Sequence, residues 1–377
     1  MNSQERITRH VAGLDVDRIP LVGGWNLGVA SICTWAQIDR AAFRKDPDKA
    51  VLEANRRLRI DAITSSYVIP SEEDELRDSK IVEERFSDVD AESIKERASA
   101  IPDSRSEVLA GFDQHRFRAD TMDILTKVKS RLDDLVPLVT HWGAPAKFSL
   151  YGTYGYVAFL EAVAVYPEAI EKIFWESGVL AREQNKVLAE SIVELGLVPA
   201  VLCGDDICTG RGPMVSPAFL REKYWPHTKS ALAPFVDAGI RLICHCDGNV
   251  MPLIDDFLDA GFTGFQGYQY EDGFDPYVVR QKALMHHANP IFLGGLSVTQ
   301  TLPFGTDEDV RNDIDYLYQA TDGGKGMILF TSNVSGVDVP PERLSRAYEY
   351  GRTLIPGGSV RRELKVWPWK KERPASR

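Results

Sequence analysis

The sequence lacks the features that would place it in a specialised class. Only five of its 377 residues are cysteines: Cys33, Cys203, Cys208, Cys244 and Cys246. An odd, unevenly spaced set argues against a secreted disulfide framework. No apolar run approaches the roughly 20 residues needed to cross a bilayer. The opening residues, "MNSQERITRHVAGLD", have no apolar core of the kind a signal peptide needs. Positive charge is in deficit, with 44 Lys and Arg against 55 Asp and Glu and a net charge of −11. That balance disfavours nucleic acid or an anionic membrane as a partner. The one basic stretch, "VWPWKKERPASR" at 366–377, reads as a solvated tail. Neither G-x-G-x-x-G nor a P-loop occurs, which weighs against nucleotide chemistry, and neither C-x-x-C nor H-E-x-x-H occurs. What is left reads as a soluble, cytoplasmic protein with reduced thiols.

What is present is alternation. Short apolar runs at 18–25, 61–67, 135–142, 147–152, 198–206, 241–248, 264–269, 291–296 and 326–332 read as strands. Between them lie helical patterns, among them "DPDKAVLEANRRLRI", the long "YPEAIEKIFWESGVLAREQNKVLAESIVEL", "SPAFLREKYWPHTKSALAPFVDAG" and "TDEDVRNDIDYLYQATDGG", which opens on a capping Thr306. Strand-helix repetition implies a parallel sheet covered by helices, and about eight such units imply an α/β fold of the (β/α)8 TIM-barrel class. We read residues 1–365 as one barrel with N-terminal helical additions and 366–377 as a tail. In such barrels function collects at the C-terminal strand ends. Here those ends carry polar and aromatic residues, including Trp25, Tyr67, Trp142, Tyr151, Asp205, Asp206, His245, Asp247, Glu271 and Asn333.

The most concentrated chemistry is "ICHCDGN" at 243–249. Side chains alternate along a strand, so His245 and Asp247 share one face and Cys244 and Cys246 the other. The thiol phase is the more apolar and reads as packing, while His245 and Asp247 face the barrel interior or its mouth. In "CGDDICTG" two adjacent carboxylates end an apolar strand, and alternation sends Asp205 and Asp206 to opposite sides. Buried carboxylates are costly unless paired, solvated or metal-bound. Glu271 ends the next strand, and with His245 and Asp247 it would complete a zinc-type ligand set. Trp25, Tyr67, Trp142, Tyr151 and Tyr154 suit the wall of a ligand pocket. His286 and His287 precede a strand and read as surface.

The order of "VDRIPLVGG", "YGTYGYVAFLEAVAVYPEAIEKI", "GDDICTGRGPMVSPAFLREKYWP", "HCDGN", "GGLSVTQTLPFGTDEDVR" and "SGVDVPPERL" resembles the uroporphyrinogen decarboxylase superfamily over nearly the whole chain. The resemblance implies a (β/α)8 barrel. Its true decarboxylases bind porphyrinogen through an N-terminal arginine-rich segment, without metal, whereas this chain has "VGGWNLGVASICTW" there and no arginine. The resemblance therefore leans to the corrinoid-dependent methyltransferase branch, which holds zinc with a His-x-Cys pair and a later Cys. His245 matches the family histidine, Asp247 stands where the first cysteine would be, and Glu271 approximates an intervening carboxylate. Asn333 or Ser335 stands near the later cysteine. Both family thiolates are thus replaced, which makes a harder Lewis acid suited to a methylated oxygen.

The resulting expectation is a metal-dependent demethylase. It would move a methyl group from a small methoxylated or methylated compound to a corrinoid on a separate protein, since no D-x-H-x-x-G signature occurs here. Zinc would sit on His245, Asp247 and Glu271, with Asp205 or Asp206 donating a proton or orienting a ligand, and Trp25, Tyr67, Trp142, Tyr151, Tyr154 and Asn333 at the substrate. The resemblance also suggests a homodimer. Two alternatives stand beside it. One is a metal-free lyase on a carboxylated substrate, with His245 and an Asp as acid and base. The other is a non-catalytic barrel that binds a tetrapyrrole or a corrinoid protein.

Overall fold

The computed structural model describes residues 1–72, 89–359 and 361–369. Eight short strands form one sheet in chain order: β1 (Val22–Gly23), β2 (Ala62–Thr64), β3 (Val136–Thr140), β4 (Ala200–Gly204), β5 (Arg241–His245), β6 (Phe262–Gln266), β7 (Ile291–Leu296) and β8 (Met327–Thr331). A parallel bridge from Leu21 to Leu329 links the approach to β1 with β8. This is the (β/α)8 barrel class. The strands read as continuous apolar runs, such as AVLCG and MILFT, because they are buried throughout.

The chain divides into two compact units. The first holds Met1–Arg77, Val128–Thr140 and Gly264–Arg377. Within it β1, β2 and β3 pair in parallel, Val22 opposite Ala62 and Ala62 opposite Val136, and β7 pairs with β8, Phe292 opposite Met327. Thr306 caps helix Asp307–Ala320 through a reciprocal box with Asp309, as its sequence predicts. The second unit holds Asp78–Lys127 and His141–Thr263. It carries β4, β5 and the helix Pro167–Glu194, 28 residues that start on a proline whose missing N–H costs nothing there.

Three expectations change. The stretch 147–152 is not a strand: residues 147–149 are irregular and lead through a turn at Leu150 into the short helix Tyr151–Tyr154. Its backbone N–H groups at Phe148 and Ser149 go to the Asp205 carboxylate instead of a ladder. The run 216–239 is not one regular helix but Pro217–Phe219, a π-turn Leu220–Tyr224 and the helix Trp225–Asp237. Pro226 has no N–H for the Glu222 carbonyl, and the ladder widens so that Trp225 N–H donates to Leu220. Further along, Pro234 leaves the Ser230 carbonyl without its helical donor, and Arg182 Nη1 donates to it at 2.5 Å. Finally, the C-terminal stretch is not simply solvated. The indole N–H of Trp367 donates to buried Asp313 at 2.6 Å and that of Trp369 to Gln300 at 3.3 Å. Lys370–Arg377, the basic end of that stretch, lies outside the described residues. Among the described residues no helix is long and apolar enough to cross a membrane.

Candidate active site

β4 is buried along its length, and Asp205-Asp206 follow its last residue, Gly204. β5 pairs with it in register, Cys203 opposite Cys244 and Gly204 opposite His245, so "DD" and "HCD" leave the sheet side by side. This approach requires glycine at 204. Its φ is +150°, and a Cβ there would lie 2.0 Å from the His245 carbonyl oxygen. Gly248 (φ +86°) permits a similar close approach in the loop that follows, since a Cβ would meet the Thr209 backbone at 2.5 Å. Asn249 N–H donates to Thr209 at 2.8 Å, seating the loop after β5 on the hairpin formed by Cys208–Thr209 and Gly212–Pro213.

The paired aspartates diverge. Asp205 Oδ2 accepts the N–H of Phe148 at 2.7 Å and of Ser149 at 2.9 Å. Burial pushes its carboxyl up to about 6, although these hydrogen bonds act against the shift. Asp206 turns the other way. Its Oδ1 accepts the Asp247 N–H at 2.9 Å and lies 3.8 Å from His245 Nε2. Asp247 Oδ1 lies 4.0 Å from the same nitrogen. Asp206, His245 and Asp247 thus each offer one ligand atom, all within 4.8 Å of one another. One imidazole nitrogen and two carboxylate oxygens at this separation fit a divalent cation with bonds of about 2 Å.

The thiols are turned away. Cys244 and Cys246 are 1% and 0% exposed, on the phase opposite His245 and Asp247. Burial raises the Cys246 thiol well above its ordinary value, and its hydrogen bond with Cys208 adds to the shift. Metal binding needs the thiolate, which this environment disfavours.

Aromatic residues flank the cluster. The Trp142 ring sits edge-on to the His245 ring, centroids 5.4 Å apart, with 43% of the residue exposed. Tyr151 donates its hydroxyl to the Asp206 carbonyl at 2.9 Å and stacks on Tyr156, centroids 4.5 Å apart at 8°. Tyr154 is partly buried on the same short helix as Tyr151. Phe148, Phe159, Phe174 and Tyr224 pack around one another behind this wall.

The other predicted site residues belong to the first unit. Glu271 stands on the turn Tyr270–Asp272, where its Oε1 accepts hydroxyls from Ser297, at 3.0 Å, and Thr299. Trp25 is buried against Phe330, centroids 5.1 Å apart. Tyr67 gives its hydroxyl to Asp48, and Asn333 Oδ1 accepts the Val334 N–H at 2.6 Å. His286 and His287 are exposed, as expected of surface residues. Sequence reasoning missed two things. The pairing of Asp206 with His245 depends on the register of β4 against β5, and its only local signal was the adjacent "DD". The N–H groups of Phe148 and Ser149 left no signal in the side-chain pattern.

In fold the chain is similar to a methyltransferase from Methanosarcina mazei, with a TM-score of 0.60 and 14% identity over 94% of this chain and 98% of that one. At that identity the likeness is one of fold. No family model matches the chain, and no curated protein matches it in sequence.

Proposed function

We propose that this protein is a metal-dependent methyl-transfer enzyme. It takes a methyl group from a small methoxylated or otherwise methylated compound and passes it to a corrinoid carried by a separate protein. The observation that carries this reading is the convergence of Asp206, His245 and Asp247 at the C-terminal ends of neighbouring strands. It occurs in a barrel whose fold resembles that of a methyltransferase. Function gathers at that end in this architecture.

Asp206, His245 and Asp247 would hold a divalent cation, zinc being the ion the sequence resemblance implies. When bound, such an ion supplies Lewis acidity to the oxygen that loses its methyl group. The remaining roles belong to the chain. Trp142 packs on the imidazole in a T-shaped contact that restrains the ring plane, and its exposed part would face an apolar or aromatic substrate. Tyr151 holds the Asp206 backbone and so fixes the direction of that carboxylate. Asp205 faces away from the cluster and anchors the approach to Tyr151 through two N–H groups, a positioning role.

The test is formation of methylcobalamin from reduced cobalamin and a panel of methoxylated aromatics, amines and alcohols. Wild-type protein should form it with at least one of these donors. His245→Ala should lower the rate by at least about 100-fold, the kinetic equivalent of losing several kcal/mol of Lewis-acid stabilisation. Equal rates in wild type and His245→Ala would sink the proposal. Release of carbon dioxide from a carboxylated substrate without metal would support the lyase instead.

A further inference from the structure

The ligand set differs from the thiolate zinc site implied by the sequence resemblance, and the difference specifies the ion and its behaviour. Four cysteines lie on or beside β4 and β5: Cys203, Cys208, Cys244 and Cys246. All are buried. Cys244 and Cys246 are the immediate chain neighbours of His245, yet strand alternation points them into the core. The donors brought together are instead one imidazole and two carboxylates. Backbone packing fixes their directions, with Gly204 against His245 on one side and Gly248 against Thr209 on the other. The Asp247 N–H held by Asp206 Oδ1 ties the two carboxylate-bearing segments together.

We infer that this is a one-nitrogen, two-oxygen cation site in which Asp206 is the third protein ligand, in place of Glu271, and that it takes a borderline-to-hard divalent ion and leaves it exchangeable. The inference rests on the metal half of the proposed function, not on the identity of the methyl donor. Two carboxylates and a neutral imidazole balance a dication, whereas added thiolates would leave the ion electron-rich and favour thiophilic ions. Carboxylate side chains 41% and 36% exposed, at Asp206 and Asp247, leave some of the coordination sphere to water or to a substrate oxygen. Glu271 accepts the Ser297 and Thr299 hydroxyls on Oε1 and keeps a buried Oε2 with no hydrogen-bond partner, so a Glu271 variant is the comparison that decides the third ligand.

Cobalt(II) titrated into the chelator-treated, full-length protein tests this, because thiolate ligation gives an intense near-ultraviolet charge-transfer band that nitrogen and oxygen ligation does not. The expected result is saturable uptake with visible ligand-field bands and no thiolate band. Asp206→Asn should weaken uptake by more than about tenfold, since even residues behind the ligands cost that much. Cys246→Ala should leave it unchanged. A thiolate-to-cobalt band in the wild type would overturn the inference. So would retention of affinity in Asp206→Asn with loss in Glu271→Gln, or no saturable uptake at all. The spectrum of the wild type stands even where a variant folds poorly. Methylcobalamin formation on the same chelated sample separates the two ideas: activity without any divalent ion would leave methyl transfer standing while this site falls.

Discussion

Gly204 shows how much of the site depends on a residue with no side chain. Its φ of +150° and its contact with the His245 backbone mean that alanine must push β4 away from β5 at the residue bearing the imidazole. Backbone strain and overpacking together should cost about 2–4 kcal/mol. Gly196 provides the comparison, because it also has positive φ, +58°, but nothing lies within 4 Å of the added Cβ. Gly196→Ala should therefore cost only about 1–2 kcal/mol, the conformational penalty alone. Urea unfolding of both variants checks this, and equal destabilisation would refute the close-approach argument. A second consequence is that Gly204→Ala should weaken cobalt(II) uptake although it alters no ligand.

At the scale of elements, the helix Ser3–Val11 buries Ile7 and Val11 and is tied to the start of β2 by one buried carboxylate. Asp61, 1% exposed, accepts Arg6 Nη1 at 2.6 Å, Arg18 Nη1 at 2.7 Å and the Leu21 N–H at 2.9 Å. Removing the charge takes the carboxylate from Arg18, while Arg6 keeps Asp17 at 2.7 Å, so Asp61→Asn should cost about 3 kcal/mol, the lower end for a broken buried pair. A loss below about 1 kcal/mol, the range of an exposed pair, would show the network to be solvent-screened. The same scale shows what could be read in advance. Strands buried on both faces appear as unbroken apolar runs, and their positions were legible; so was the division of His245 and Asp247 from Cys244 and Cys246, which follows from period-two alternation. "KFSLYG" misled because phenylalanine and leucine alternate with polar residues there as they would in a strand, while the N–H groups that decide the matter bond to a side chain 56 residues or more away. Likewise "DD" announced two carboxylates but not which of them meets His245. That is set by the register of two strands about 40 residues apart, with Gly204 opposite His245, and a non-local pairing leaves no local pattern.

At the scale of the whole molecule, two buried groups set opposing pH dependences. Burial pushes His10 down to about 4 and pushes Asp313 up to about 7. Between pH 4 and about 6.5 the unfolded chain holds a proton on His10 that the folded chain does not, so this group makes stability rise with pH. Between about 3.8 and 7 the folded chain holds a proton on Asp313 that the unfolded chain has lost, so this group makes stability fall with pH. The integrated effects are about 3 kcal/mol for His10 and about 4 kcal/mol for Asp313. They largely cancel in the wild type, and Asp205, also raised by burial, adds to the Asp313 side. Variants separate them, because subtracting each from the wild type removes every group they share. The stability of wild type minus that of Asp313→Asn should fall by about 4 kcal/mol as pH rises from 4 to 7, and wild type minus His10→Gln should rise by about 3 kcal/mol from pH 4 to 6.5. Trp367 belongs to the same balance, since its indole donates to Asp313 and stabilises the ionised carboxylate. Trp367→Phe should therefore raise the Asp313 pKa further and extend the falling limb above pH 7. Urea midpoints measured across pH 4 to 8 decide the matter, and parallel curves for all three variants would show that neither buried group titrates differently on folding.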